Sequence, residues 1–252
     1  MTTNIKITLD ERKKRILEAI VRDYLHTAEA VGSRTIWRSY MPDLSPATIR
    51  NEMADLEDLG LIVQPHTSAG RVPTDLGYRY YINNIMKARQ LTTKEDEIIG
   101  EGLKKIHNDV EDALHQTLKV LSNLLEYASV VATLNNKTRV YTAGISHMLK
   151  QPEFSDLNFT RHILETIEEE DLMADMIKEY TTEKGVTIRI GSENTYKEVK
   201  DCSVIMSSYS ITNLAEGALG VIGPTRMSYA KAAGILETLS RRLEQAMEME
   251  DD

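Results

Sequence analysis

Residues 45–73 read SPATIRNEMADLEDLGLIVQPHTSAGRVP, and the first third of the chain takes its fold from this stretch. Ser45 is a good N-cap, because its hydroxyl can accept from an amide of the first helical turn. Pro46 suits the first helical position, where the missing amide has no partner in any case. The spacing predicts a helix to Leu59, with Gly60 able to take the left-handed conformation that closes it. Ile49, Met53 and Leu56 form one inward stripe, which leaves Ala47, Thr48, Asn51 and Asp55 outward and Arg50 at the flank. Small and polar groups near a helix N-terminus are what a recognition helix presents to base edges. Asparagine bonds adenine bidentately, and the methyls of Ala or Thr can meet that of thymine. On this helix alone, an ordinary amphipathic surface helix is an equal reading.

The residues that follow favour the nucleic-acid reading. Leu61-Ile62-Val63 has the composition of a short strand, His66-Thr67-Ser68-Ala69-Gly70-Arg71 that of a tight polar loop, and Val72-Pro73 that of a returning edge strand. Together they predict a β-wing whose tip carries Arg71, a side chain suited to a phosphate or a narrow minor groove. Thr74 then caps a helix containing Tyr78, Tyr80, Tyr81, Ile82 and Ile85. Upstream, Thr8-Leu9-Asp10-Glu11 has the spacing of a capping box with Thr8 as the cap. Ile16, Leu17, Ile20, Val21 and Tyr24 recur behind it at helical spacing. The basic run Arg12 to Arg15 near the start of that helix reads first as a solvated face, and only second as a DNA contact. A short helix from Ser33 to Tyr40 ends at Met41-Pro42. Helix, helix, turn, helix and wing therefore occur in order, a winged helix-turn-helix. The candidate DNA-binding residues are Ser45, Ala47, Thr48, Arg50, Asn51, His66, Thr67, Ser68 and Arg71.

Residues 44–86 closely resemble the heat-inducible transcription repressors of the HrcA family, in the run LSPATIRNEMADLEDLGLIVQPHTSAGRVPTDLGYRYYINNIM. The resemblance resumes at Ala143-Gly144, at Gln151 to Asp156, at Gly185-Val186, at Ile190 to Asn194 and at Gly217 to Met227. It implies repression of chaperone genes through an inverted-repeat operator in double-stranded DNA, bound by a homodimer, with activity tuned by the GroEL chaperonin.

The fold class expected overall is α+β, a winged helix over residues 1–90 and a reduced GAF-like domain over 91–252. A long amphipathic helix from about Thr93 to Tyr127 should link them, with Leu103, Ile106, Val110, Leu114, Leu118, Leu121 and Leu125 at near-heptad steps. That seam fits pairing between subunits and packing on its own domain equally well. Beyond it, Ser129–Leu134, Arg139–Ala143, Val186–Ile190, Cys202–Tyr209 and Ala218–Ile222 read as strands, with helices at about Phe159–Tyr180 and Ser228–Met247. By resemblance, family members carry an inserted dimerisation domain between the segments matching Tyr127–Leu134 and Tyr141–Gly144. Here Asn135 to Arg139 bridges that gap, so a segment the size of a small domain, including some of the family's GAF strands, is absent, and the family dimer interface and any GAF pocket are left open.

Charge is unevenly distributed. The net of −9 is unfavourable for a nucleic-acid partner, yet residues 1–90 hold 13 Lys+Arg against 11 Asp+Glu, and the remainder 17 against 28. The start has no apolar stretch behind a basic one and no run is long enough to span a bilayer, so a cytoplasmic protein without membrane contact is expected. Cys202, the single cysteine, lies in an apolar run and reads as a small buried hydrophobe.

Gly217, Gly220 and Gly223 space like part of a dinucleotide fingerprint but fall in a strand and its exit. The six histidines lack ligand spacing, no Ser-His-Asp or Cys-His constellation stands out, and Glu168 to Asp171 reads as a solvated charge run. No cofactor, metal or enzymatic activity is expected. The runner-up is a winged-helix regulator whose second domain senses a small effector, and an enzyme built on that domain is a third possibility.

Overall fold

Asp10, rather than Thr8, caps the first helix: its Oδ1 accepts from Lys13 N at 2.8 Å. The computed structural model describes residues 7–104, 109–134, 138–181, 185–211 and 215–248. The chain divides between Lys87 and Ala88 into two compact units.

In the first unit, α1 (Glu11–Thr27), α2 (Ser33–Ser39) and α3 (Pro46–Asp58) pack around one core. β1 (Ile62–Val63) and β2 (Val72–Pro73) then form an antiparallel wing, and α4 (Asp75–Asn84) closes the unit. Ile16, Leu17, Ile20 and Val21 of α1, Ile36 of α2, and Ile49, Met53 and Leu56 of α3 are all buried where these three helices pack together. Each such side chain contributes roughly 1.5–3 kcal/mol of burial. Ser45 caps α3 by accepting from Thr48 N at 3.0 Å, Pro46 is its first residue, and Gly60 has φ +72° just beyond its end. Val31 and Arg71 exchange two backbone hydrogen bonds of 2.9 Å, which ties the root of the wing to the segment before α2. Gly70 lies so near that segment that a Cβ there would sit 2.4 Å from the Val31 carbonyl carbon.

In the second unit the expected single helix over about 93–127 is two helices, α5 (Thr93–Leu103) and α6 (Val110–Leu124). Ile106 of the predicted seam lies outside the described residues. A Cβ on Gly102 of α5 would fall 2.1 Å from Val120 Cγ2 of α6, so the helices face each other within the chain. A continuous helix cannot fold back in this way. Leu103, Leu114, Leu118, Leu121 and Leu125 are buried in the isolated chain, which satisfies the heptad seam by packing on its own unit.

The sheet follows, built from β3 (Ala128–Thr133), β4 (Arg139–Ala143), β5 (Val186–Ile190), β6 (Cys202–Ile211) and β7 (Ala215–Pro224). It is antiparallel throughout, in the order β4-β3-β7-β6-β5. Thr133 pairs with Arg139, so residues 134–138 alone join β3 to β4. One sheet face packs Val130, Cys202, Val204 and Met206 against Met148 of α7 (Ile145–Met148), Ile163 and Ile167 of α8 (Leu157–Glu168), and Met173, Met176 and Ile177 of α9 (Glu170–Tyr180). The expected helix over 159–180 is interrupted because Glu169 has ψ 93°, outside helical geometry. Residues of β6 that alternate to the other face meet α10 (Tyr229–Glu248), where Ser203 Oγ bonds Tyr229 Oη at 2.7 Å and Ser207 Oγ bonds Ser240 Oγ at 3.0 Å. The class is α+β, as expected. Gly217, Gly220 and Gly223 lie inside β7 with neighbouring atoms where a Cβ would stand. They serve close packing, and no strand-to-helix turn is present there to cradle a phosphate.

Candidate nucleic-acid interface

The core stripe of α3 fixes what the helix shows to solvent. With Ile49, Met53 and Leu56 inward, Ala47, Arg50, Asn51 and Ala54 are exposed at steps of three and four residues, and so form one outward stripe. Two side chains expected on that face are otherwise engaged. Thr48 is half-buried with its hydroxyl 2.9 Å from Ser45 Oγ, and Asp55 pairs with Lys13 Nζ at 3.0 Å.

The basic run at the start of α1 is consumed within the unit. Arg12 and Lys13 pair with Glu52 at 3.1 and 2.8 Å, Lys14 with Glu11 at 2.7 Å, and Arg15 with Asp43 at 3.6 Å. Hydrogen bonds that the Lys13 ammonium donates to Glu52 and then Asp55 hold it above the ordinary lysine value, so this charge is committed to α3. Arg34, Arg38 and Arg50 differ. None has an ion-pair or hydrogen-bonding partner among the described residues, and all three are exposed. The unengaged positive charge of the helix-turn-helix therefore lies on α2 and α3.

Between α2, α3 and the wing runs an open groove of about 460 Å³. Ser33 and Arg34 line one side, Arg50 and Met53 its floor, and Gln64 with Thr67 to Arg71 the wing side. Of the sequence-predicted residues, Arg50, Thr67, Ser68 and Arg71 thus come together, whereas Ser45, Ala47, Thr48, Asn51 and His66 lie outside the groove lining. His66, Thr67 and Ser68 are exposed on a turn closed by the Ala69 N to His66 O bond of 2.8 Å.

Arg71 departs from its expected place at the wing tip. It stands at the root beside β2, and its Nε and Nη2 both donate to Glu57 Oε2 of α3, at 2.9 and 2.8 Å. The other oxygen of Glu57 accepts Gln64 N at 3.0 Å, while Gln64 Nε2 donates to the carbonyls of Thr67 and Ala69. Arg34 and Gln64 are polar residues of the groove lining that sequence reasoning missed. Arg34 had a signal in its place on the short helix before the turn, but Gln64 had none, because its role depends on a tertiary contact.

Residues 75–233 match the HrcA protein C-terminal domain. The chain belongs to the HrcA family. Relatives named "Heat-inducible transcription repressor HrcA" include that of Pelotomaculum thermopropionicum, 32% identical over 338 residues, covering 95% of this chain and 97% of its own. That of Carboxydothermus hydrogenoformans is 32% identical, covering 93% and 97%. An alignment 338 residues long against a chain of 252 leaves at least 86 positions of the first relative without a counterpart here. A crystal structure of a hypothetical protein shares the HrcA-family fold of this chain with a TM-score of 0.74 at 21% identity, over 95% of this chain and 97% of that one. Among the described residues, no helix is long and apolar enough to cross a membrane.

Proposed function

We propose that this chain is a heat-inducible transcription repressor whose winged helix binds an inverted-repeat operator as a homodimer. The observation that carries the reading is the exposed Ala47–Arg50–Asn51–Ala54 stripe of α3 beside a groove bordered by unpaired arginines, in a member of the HrcA family. Asn51 would read a base edge and Ala47 would meet a thymine methyl. Arg50 and the backbone of the wing turn at His66 to Ser68 would set register on phosphates, which carry no sequence information themselves. Two-fold operators require two such heads, spaced by about 34 Å or a multiple. Membership of the family further suggests that the GroEL chaperonin favours the active form, and that heat relieves repression when unfolded proteins draw the chaperonin away. The second unit would act in regulation and assembly rather than as an enzyme.

Footprinting the purified protein on the promoter of its own chaperone genes, with and without chaperonin, tests this. Protection of an inverted repeat that strengthens with chaperonin is the expected result. Uniform weak protection, insensitive to sequence, would overturn the operator assignment, and protection unaffected by chaperonin would remove that partner.

A further inference from the structure

Helix α2 has the sequence SRTIWRS, without a carboxylate. Ile36 turns into the core, which places Arg34, Trp37 and Arg38, at steps of three and four residues, on the opposite and exposed side. Trp37 is the only tryptophan in the chain and is 36% exposed, an unusual position for so large a ring. Neither guanidinium on this face has a partner among the described residues, whereas Arg12, Lys13, Lys14, Arg15, Arg22 and Arg71 of the same unit are each paired with a carboxylate. The face is continuous with the groove, because Arg34 lines it together with Arg50 and the wing residues Thr67 and Ser68.

We propose that the Arg34–Trp37–Arg38 face of α2 is a second DNA-contacting surface that grips the phosphate backbone flanking the segment read by α3. This rests on the reading of the winged helix as a DNA-binding head. Charge complementarity selects the occupant: two unneutralised guanidiniums on a helix without acid match a polyanion, and guanidinium geometry fits phosphate oxygens. The indole N–H of Trp37 supplies one more donor, and its ring an apolar surface for the sugar edge. The helix preceding a recognition helix crosses the backbone in this architecture, so the phosphates are within its reach. Contacts of this kind add affinity on every sequence and leave discrimination to α3.

The test uses the full-length protein on an operator duplex and on an unrelated duplex, titrated over a range of salt. The double variant Arg34→Gln with Arg38→Gln should weaken binding to both duplexes by the same factor. It should also reduce the slope of log K against log salt by about 1.8, at about 0.9 per phosphate contact. In the unsubstituted protein, emission from Trp37 should change on DNA addition, and acrylamide should quench it less in the complex. An unchanged slope, with Trp37 equally open to quencher when DNA is bound, overturns this surface while leaving DNA binding by α3 intact. Failure of the unsubstituted protein to bind any duplex overturns the DNA reading and this surface together. Protection of Trp37 that grows with protein concentration without DNA assigns the face to a second copy and likewise overturns the proposal.

Discussion

The guanidinium of Arg71 is clasped by Glu57, with Nε and Nη2 donating to one carboxylate oxygen at 2.9 and 2.8 Å. Glu57 belongs to α3 and Arg71 to the root of the wing, so this pair sets the wing against α3. A cation so engaged contributes position rather than counterion release. Arg71→Ala should therefore weaken DNA binding by loosening the wing while leaving the salt slope within error of the unsubstituted protein. Glu57→Ala should cause a comparable loss, since it also removes the acceptor for Gln64 N. Binding titrations at several salt concentrations check both. A slope reduced by about 0.9 in Arg71→Ala would instead return Arg71 to the role of phosphate contact.

Asn51 is exposed on the outward stripe of α3. A side chain that reads an adenine should matter only where that adenine is present. Asn51→Ala should cost about 1–3 kcal/mol on the operator and leave binding to an unrelated duplex unchanged. Equal loss on both sequences, measured by competition, would exclude base reading by Asn51.

Asn194 is 2% exposed, and its amide joins three parts of the second unit. Nδ2 donates to the carbonyls of Gly191, Val199 and Cys202 at 2.9 to 3.0 Å, and Oδ1 accepts from Tyr180 Oη at 3.2 Å. Each buried partner left unmatched costs about 1–3 kcal/mol, so Asn194→Ala should destabilise the unit by at least that amount. Asn194→Asp keeps the shape but turns an anionic oxygen toward three carbonyl oxygens, and should be the worse of the two at neutral pH. Chemical denaturation of the three proteins orders them. An aspartate variant as stable as the parent would show that the three carbonyl contacts contribute nothing.

The order of elements in the winged helix was legible because its signals are local. Ser45 and Pro46 mark the start of α3, Gly60 its end, and the apolar stripe is spaced for one buried side. What could not be read was which charges pair, since Arg12 and Lys13 find Glu52 some 40 residues away and Arg71 finds Glu57 14 residues away. The break between α5 and α6 was hidden for another reason. Leucines at heptad steps satisfy a straight seam and a folded-back pair alike, because each reports only that one side of a helix is buried.

Two glycines of α5 distinguish a folded-back pair from a straight helix. A Cβ on Gly100 would meet nothing within 4 Å, whereas one on Gly102 would meet Val120 Cγ2 at 2.1 Å, and Val120 is buried. Alanine inside a helix is favoured over glycine by about 0.5–1 kcal/mol. Gly100→Ala should accordingly raise the melting temperature, while Gly102→Ala should lower it through overpacking that costs about 1–3 kcal/mol. In a straight helix both substitutions would stabilise, so a rise for Gly102→Ala in calorimetry would dismiss the contact with α6.

Cys202 is fully buried at the start of β6, and burial, with a smaller effect from Asp201, pushes its thiol from the ordinary value of 9.0 up to about 12. The neutral thiol is thus the form the fold prefers. Since the unfolded chain ionises near 9 and the folded one near 12, this preference stabilises fully below pH 9 and is lost as pH rises toward 12. The thiolate is the nucleophile, so a reagent such as iodoacetamide should leave Cys202 unmodified at pH 8 in the native protein and label it at the rate of opening in mild denaturant. Cys202→Ser replaces the thiol with a hydroxyl in an apolar site and should destabilise the unit, whereas Cys202→Ala, smaller but without a polar atom, should be better tolerated above pH 9 than below it, relative to the parent. Rapid labelling of the native protein at pH 8, monitored by mass spectrometry, would place the thiol at the surface and contradict the packing of β6 against α8 and α9.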